Sequence, residues 1–195
     1  MYKDLLSLLG VMIALVGSLP YILSILNGKA KPHFVTWLIW TVLATTGTAL
    51  QIIGGGGWGS AILGFTALLN AIILCLSLKY IKNEVNKLDI LILIFAGFSF
   101  IAWRLSKNPN VAEVLITMAF SLGYIPTYIK GYKRPETEKV SLYLWSAIKQ
   151  VVGILALSKY DLLTLLLPCV LAIESVGLVG MLKAKEIKVY QSNHS

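Results

Sequence analysis

Two side chains of opposite charge, Lys149 and Glu174, stand inside apolar stretches of the chain, and one amide, Asn70, stands alone inside a third. A charge held at the centre of a bilayer costs about 2.5 to 3.5 kcal/mol or more, so each is expected to face a polar cavity or a partner. The two are candidates to be each other's partner. Counted back to the turn at Lys159 and Tyr160, Lys149 lies about 15 Å deep and Glu174 about 21 Å deep at 1.5 Å per residue, an offset that two long side chains can span. Such a pair either fixes packing or lines a cavity in which a solute or a proton rearranges it. Asn70 either makes an interhelical hydrogen bond or joins the charges at a wet central site.

The rest of the reactive inventory excludes most chemistry. Cys75 and Cys169 lie in apolar runs with no histidine near them, so packing is expected rather than a disulfide or a metal site. Gly54 to Gly57 lacks the downstream Lys-Ser/Thr of a phosphate loop and reads as a tight turn. No hydrolase or redox constellation is present, and neither an enzyme activity nor a cofactor nor a metal is expected.

The elements that must position these residues follow from composition. Hydrophobic residues make up 57% of the chain, charged residues 13%, and the mean hydropathy is +0.78; a soluble domain carries about twice that charge. Apolar runs at 4–26, 34–53, 58–80, 88–103, 109–129, 140–158 and 161–182 predict seven transmembrane helices, and none shows the alternation of a membrane barrel. The first run is expected to remain as a helix, not to be cleaved as a leader. Asp4, Asp89 and Asp161 each precede a run and are expected to cap it. Glu113 is expected near the membrane surface with Arg104 as a partner, Trp58 and Trp103 are expected as interfacial anchors, and His33 has no expected role.

A repeat organises the seven. Gly17-Ser-Leu-Pro20 is followed by a basic turn at Lys29 and Lys31 and then by Trp40; Gly123-Tyr-Ile-Pro126 is followed by Lys133 and Arg134, by Lys139, and then by Trp145. Proline and tryptophan are separated by 20 residues in one copy and 19 in the other. A repeat of this size in an apolar chain predicts two structural halves with function at their interface. The fold class expected is therefore an all-α integral membrane protein of order 3+1+3: a first three-helix bundle at 1–83, a linker helix at 84–108 and a second, parallel bundle at 109–195. Aligning the third and seventh runs places Asn70 opposite Glu174. The expected substrate-binding residues are Asn70, Glu174, Lys149, Trp40 and Trp145, with Pro20 and Pro126 as hinges where each helix lacks one hydrogen bond.

Lysine and arginine set the orientation. The loops at 29–31, 79–87, 130–139 and 183–188 hold twelve of them, whereas the opposite face holds Lys3, Arg104, Lys107 and Lys159. The positive-inside rule then predicts the N-terminus outside and the C-terminus in the cytoplasm. The net charge of +8 is scattered over these loops without interleaved aromatics, so no nucleic-acid partner is expected, and contact with anionic lipid is the plainer consequence.

On these residues the chain resembles the PQ-loop superfamily, which includes the SWEET sugar transporters, the half-size SemiSWEETs and the lysosomal cystine and cationic amino acid carriers. Pro20 and Pro126 match the family prolines, while Tyr21 and Thr127 stand where glutamine is usual; the prolines that SWEETs carry in the second helix of each triplet are missing. Asn70 matches one of the paired asparagines that SWEETs place against sugar, and Glu174 replaces the other. The resemblance implies a transporter that moves a small polar solute (sugar, amino acid or related metabolite) by alternating access; the carboxylate points to an amine-bearing or zwitterionic solute, or to proton coupling. Homo-oligomers occur among the relatives implied. Trp37-Leu-Ile-Trp40 also resembles the start of the motif of nicotinamide riboside facilitators, although Ala44 stands where their asparagine is expected. The KDEL-type cargo receptors share the fold without transporting, and form the other alternative.

Overall fold

In hydrocarbon every backbone N–H and C=O must be satisfied within its own segment, and long runs of Leu, Ile, Val and Ala do so as helices. A computed structural model describes residues 2–32, 34–80, 87–133, 135 and 140–192. Among them there is no strand. The helices are α1 (Tyr2–Leu26), α2 (Phe34–Ile53), α3 (Ser60–Ser77), α4 (Lys87–Ser106), α5 (Pro109–Lys133), α6 (Val140–Ala156) and α7 (Leu162–Ser192), with short 3-10 turns at Gly57–Gly59 and Leu78–Tyr80. Among the described residues five stretches are long and apolar enough to cross a membrane: Tyr2–Leu26, Phe34–Ile53, Gly57–Tyr80, Pro109–Lys133 and Leu162–Lys185; α6 is shorter. Helix α7 runs ten residues beyond the apolar segment expected from sequence, because Met181-Leu-Lys-Ala-Lys-Glu are all strong helix formers and nothing there stops the helix. His33, Lys82, Arg134 and Lys139 lie outside the described residues, as do the side chains of Asp89, Trp103, Arg104 and Pro126.

Helix α1 shows which surface faces lipid. Its large residues Leu5, Leu8, Met12, Val16, Leu19 and Leu23 form an exposed stripe at intervals of three and four, while Ser7, Gly10 and Ala14 are buried. A helix of a soluble domain buries the large stripe; here the small residues turn inward and let backbones approach, as in membrane bundles. Gly10 lies against Ile62 on α3.

The helices pack in a regular scheme. Helix α3 contacts both α1 and α2, and α7 contacts both α5 and α6; α1 lies along α6, α2 along α5, and α4 rests on α5 and α2. The core between them is built from Val35, Ile39, Leu43, Leu63, Phe120 and Leu167 with small Ala44, Ala67 and Ala119. At one end of the bundle the α2–α3 loop is docked on the α6–α7 loop. The Ser158 N–H donates to the Gly56 carbonyl at 2.9 Å, and Lys3 Nζ donates to the Leu157 carbonyl at 2.6 Å. A Cβ on Gly59 would lie 2.8 Å from the Leu157 backbone, and Gly57 has φ +62°, so glycine is required at both. Trp58, between them, is 71% exposed.

Asp161 caps α7 as its position suggests. Its Oδ1 accepts the Thr164 N–H at 3.2 Å, and Thr164 Oγ1 in return accepts the Asp161 N–H at 3.0 Å. The Lys159 ammonium, 3.0 Å away, is the main influence holding this carboxyl below its ordinary range, helped by the Thr164 bonds. A depressed folded-state pKa stabilises the protein above the ordinary carboxylate range and is lost on acidification. Asp161→Asn keeps a capping oxygen but no charge, so its thermal midpoint is expected below wild type at neutral pH and to converge with it in acid; a constant gap down to low pH would show that the charge contributes nothing.

Candidate functional site

The repeated Gly-x-x-Pro and Trp meet across the bundle. A Cβ placed on Gly17 of α1 would lie 3.7 Å from Cβ of Trp145 on α6, and one placed on Gly123 of α5 would lie 3.2 Å from Nε1 of Trp40 on α2. Each glycine thus receives the tryptophan of the other copy. A side chain at Gly123 would press on the Trp40 indole, whereas a Cβ at Gly17 would meet Trp145 at ordinary contact distance. Trp40 meets Trp37 edge to face at 5.3 Å, and Trp37 stacks on Tyr21 at 5.5 Å, so the tyrosine beside Pro20 is part of the same aromatic cluster. The Asn70 amide, at the edge of full burial on α3, donates to the Trp40 carbonyl at 3.4 Å. Asn70 therefore makes an interhelical bond, and it makes it at the foot of the aromatic cluster.

Lys149 and Glu174 do not form an ion pair; among the described residues the ammonium of Lys149 instead donates to Thr66 Oγ1 on α3 at 3.2 Å. Thr66 gives its own proton to the Ile62 carbonyl at 2.9 Å and so is a pure acceptor toward the lysine. Thr66 stands one turn before Asn70 on α3, and Trp145 one turn before Lys149 on α6, which brings a cation, a hydroxyl, an amide and an indole onto facing helix surfaces. The carboxyl of Glu174 turns the other way, toward Ser121 on α5, and its backbone carbonyl accepts the Tyr128 hydroxyl at 2.7 Å. Depth along the membrane allows the pair; rotation about α7 prevents it. Its neighbour Ser175, fully buried, takes the side of α7 that lies between α5 and α6, contacting Ser146 of α6 and Tyr124 of α5 at 3.2 Å each, and successive helical residues are about 100° apart.

Glu113 differs from expectation in the direction of its side chain. It lies in the second turn of α5 as expected, but its side chain turns into the bundle: it is fully buried, and its Oε1 accepts the Leu167 N–H of α7 at 3.2 Å while Oε2 has no partner. The next residue is Pro168, inside α7. Proline cannot donate to the carbonyl four residues back, which is that of Thr164, and the Gln51 amide of α2 fills the gap at 3.4 Å. Two polar side chains from two neighbouring helices therefore bracket one proline. The signal available in sequence is Gln51 and Glu113 as isolated polar residues together with a proline deep in an apolar run. Pro20 lies inside α1 with its ring exposed toward lipid, and Pro126 lies inside α5.

A second feature is not among the sequence-based expectations. Thr117, Ser121, Tyr124 and Tyr128 fall at intervals of four, three and four on α5, one stripe of hydroxyls along a single helix face. That stripe faces α7 across a groove of about 830 Å³, lined also by Leu166, Val170 and Glu174, with Phe95 of α4 at its margin. Of the five residues expected at a substrate site, only Glu174 reaches this groove; Trp40, Asn70, Trp145 and Lys149 lie at the α2, α3 and α6 side. Cys75 and Cys169 are free, and no group of three metal-binding side chains occurs among the described residues. Comparison with family models, with curated proteins and with solved structures finds no match to this chain.

Proposed function

We propose that the chain is a membrane transporter of the PQ-loop and SWEET type, moving a small polar solute by alternating access between two three-helix bundles, α1 to α3 and α5 to α7, with α4 as the linker. The observation that carries the reading is the reciprocal seating of Gly17 on Trp145 and Gly123 on Trp40. Two copies of one motif that exchange partners across an interface are what a parallel repeat needs for one half to rock against the other about a central site. The packing of α3 between α1 and α2, and of α7 between α5 and α6, supports the same division. The proposed solute site is Lys149 with Thr66, Asn70, Trp40 and Trp145, and Glu174 serves the second half from its α5 side. The tight α2–α3 and α6–α7 loops close one end of the bundle; with the basic loops in the cytoplasm, that end is outside and the N-terminus with it.

Thermal unfolding of the purified protein against a panel of sugars, amino acids, nucleosides and vitamins tests the reading, since a ligand that binds only the folded state raises the midpoint. The ligand found is then labelled and followed into proteoliposomes. Uptake supports a carrier, selective uptake of nicotinamide riboside supports the vitamin-precursor facilitator, and binding without flux makes the protein a receptor. Lys149→Met has a second, ligand-free consequence. An ammonium with one hydroxyl acceptor is poorly compensated in the membrane, so the variant is expected to unfold at a higher temperature than wild type while losing at least tenfold in affinity for the stabilising solute. A lower midpoint with unchanged affinity would assign Lys149 to packing.

A further inference from the structure

The groove between α5 and α7 is not explained by a central solute path. It contains none of the α2, α3 or α6 residues of the proposed solute site, and its α5 wall includes Val114, Met118, Ile125 and Ile129, all exposed on the lipid-facing surface. From Val114 to Ile129 it extends about 22 Å along the helix axis, and its volume is in the range that holds a drug-sized ligand. Two side chains of this apolar groove each hold an oxygen that has almost no accessible surface and no hydrogen-bond partner: Thr117 Oγ1 and Glu174 Oε2.

The neighbouring hydroxyls are committed elsewhere. Tyr128 donates to the Glu174 backbone carbonyl, Tyr124 is engaged with Ser175, and Ser121 serves the carboxyl of Glu174 from one side only. No lysine or arginine forms an ion pair with Glu174 among the described residues. A carboxyl so placed in hydrocarbon calls for a cation that also brings donors for its second oxygen. The walls call for a chain.

We propose that the α5–α7 groove binds an amphiphile carrying a protonated primary amine on a long apolar tail, which enters from the bilayer, brings its ammonium to Glu174 and Thr117 as their side chains rotate out to meet it, and lays its tail along the α5 stripe. Three matched probes test this: dodecylamine, dodecanol and laurate share a tail and differ in the head group. Dodecylamine is expected to raise the thermal midpoint of the purified full chain at concentrations where dodecanol and laurate have little effect. Glu174→Gln is expected to weaken the amine at least tenfold, the loss of one charge-assisted contact. Val170→Trp fills the groove while leaving Glu174 in place, and is expected to abolish the amine response; it serves also if the glutamine variant does not fold. Equal stabilisation by all three probes would reduce the groove to a generic acyl cleft, and preference for laurate would reassign it to an anionic lipid seated toward Lys133, which lines a smaller adjoining pocket with Tyr128 and Ile129. Either result, or an amine response that survives both variants, overturns the proposal. None of these readouts depends on solute flux, so the transporter reading stands or falls separately.

Discussion

Cysteines placed at Gly17 and Trp145 are expected to join on mild oxidation and to arrest solute flux. The Cβ position at Gly17 and the Cβ of Trp145 are 3.7 Å apart, inside the window of roughly 3.5 to 4.5 Å that a disulfide spans without backbone movement. The bond would tie α1 of one proposed bundle to α6 of the other. With Cys75 and Cys169 replaced by alanine, cross-linking is expected to lower flux in proteoliposomes at least tenfold, and a reductant to restore it. Removal of the Trp145 indole is a separate effect, so Trp145→Cys alone sets the reference rate. Full flux in the cross-linked protein would mean that α1 and α6 move as one body, and would remove the rocking motion from the mechanism while leaving the fold untouched.

The second large effect concerns Pro168. Gln51→Leu is expected to cost about 1 to 3 kcal/mol, because the Thr164 carbonyl, already deprived of its helical donor, would be buried without any partner. In the Pro168→Ala background the same change should cost far less. Alanine restores the N–H that bonds back to Thr164 and makes the glutamine redundant. A double-mutant cycle read from denaturation midpoints is therefore expected to give a coupling of roughly 1 kcal/mol or more between two residues on different helices. Additive costs would show that Gln51 acts through packing alone, and that water or another group serves the carbonyl.

Much of this molecule is legible in its amino-acid sequence. The helical runs are readable because a bilayer-spanning segment has no alternative way to satisfy its backbone, so length and hydropathy alone locate α1, α2, α3, α5 and α7 to within a few residues at most of their ends. Asp161 is readable as a cap because capping is a local matter of three residues. The repeat is readable as residue types at fixed spacing, and so are the outlying polar residues Asn70, Lys149 and Glu174.

Which of those residues meet is a different kind of question. Sequence distance fixes depth in the membrane through the 1.5 Å rise, but a contact also needs the rotation of each helix and the choice of neighbour, and these are set by the packing of all seven helices together. Hence Lys149 meets Thr66 instead of Glu174, Glu113 turns inward to a backbone N–H beside Pro168, and the exchange of Gly17 and Gly123 between the two tryptophans emerges only in three dimensions. The sequence by itself determined the helices, their apolar surfaces and the short list of residues unfit for lipid; tertiary structure alone decided which of them face each other, because helical phase and helix adjacency are collective properties of close packing that no single segment encodes.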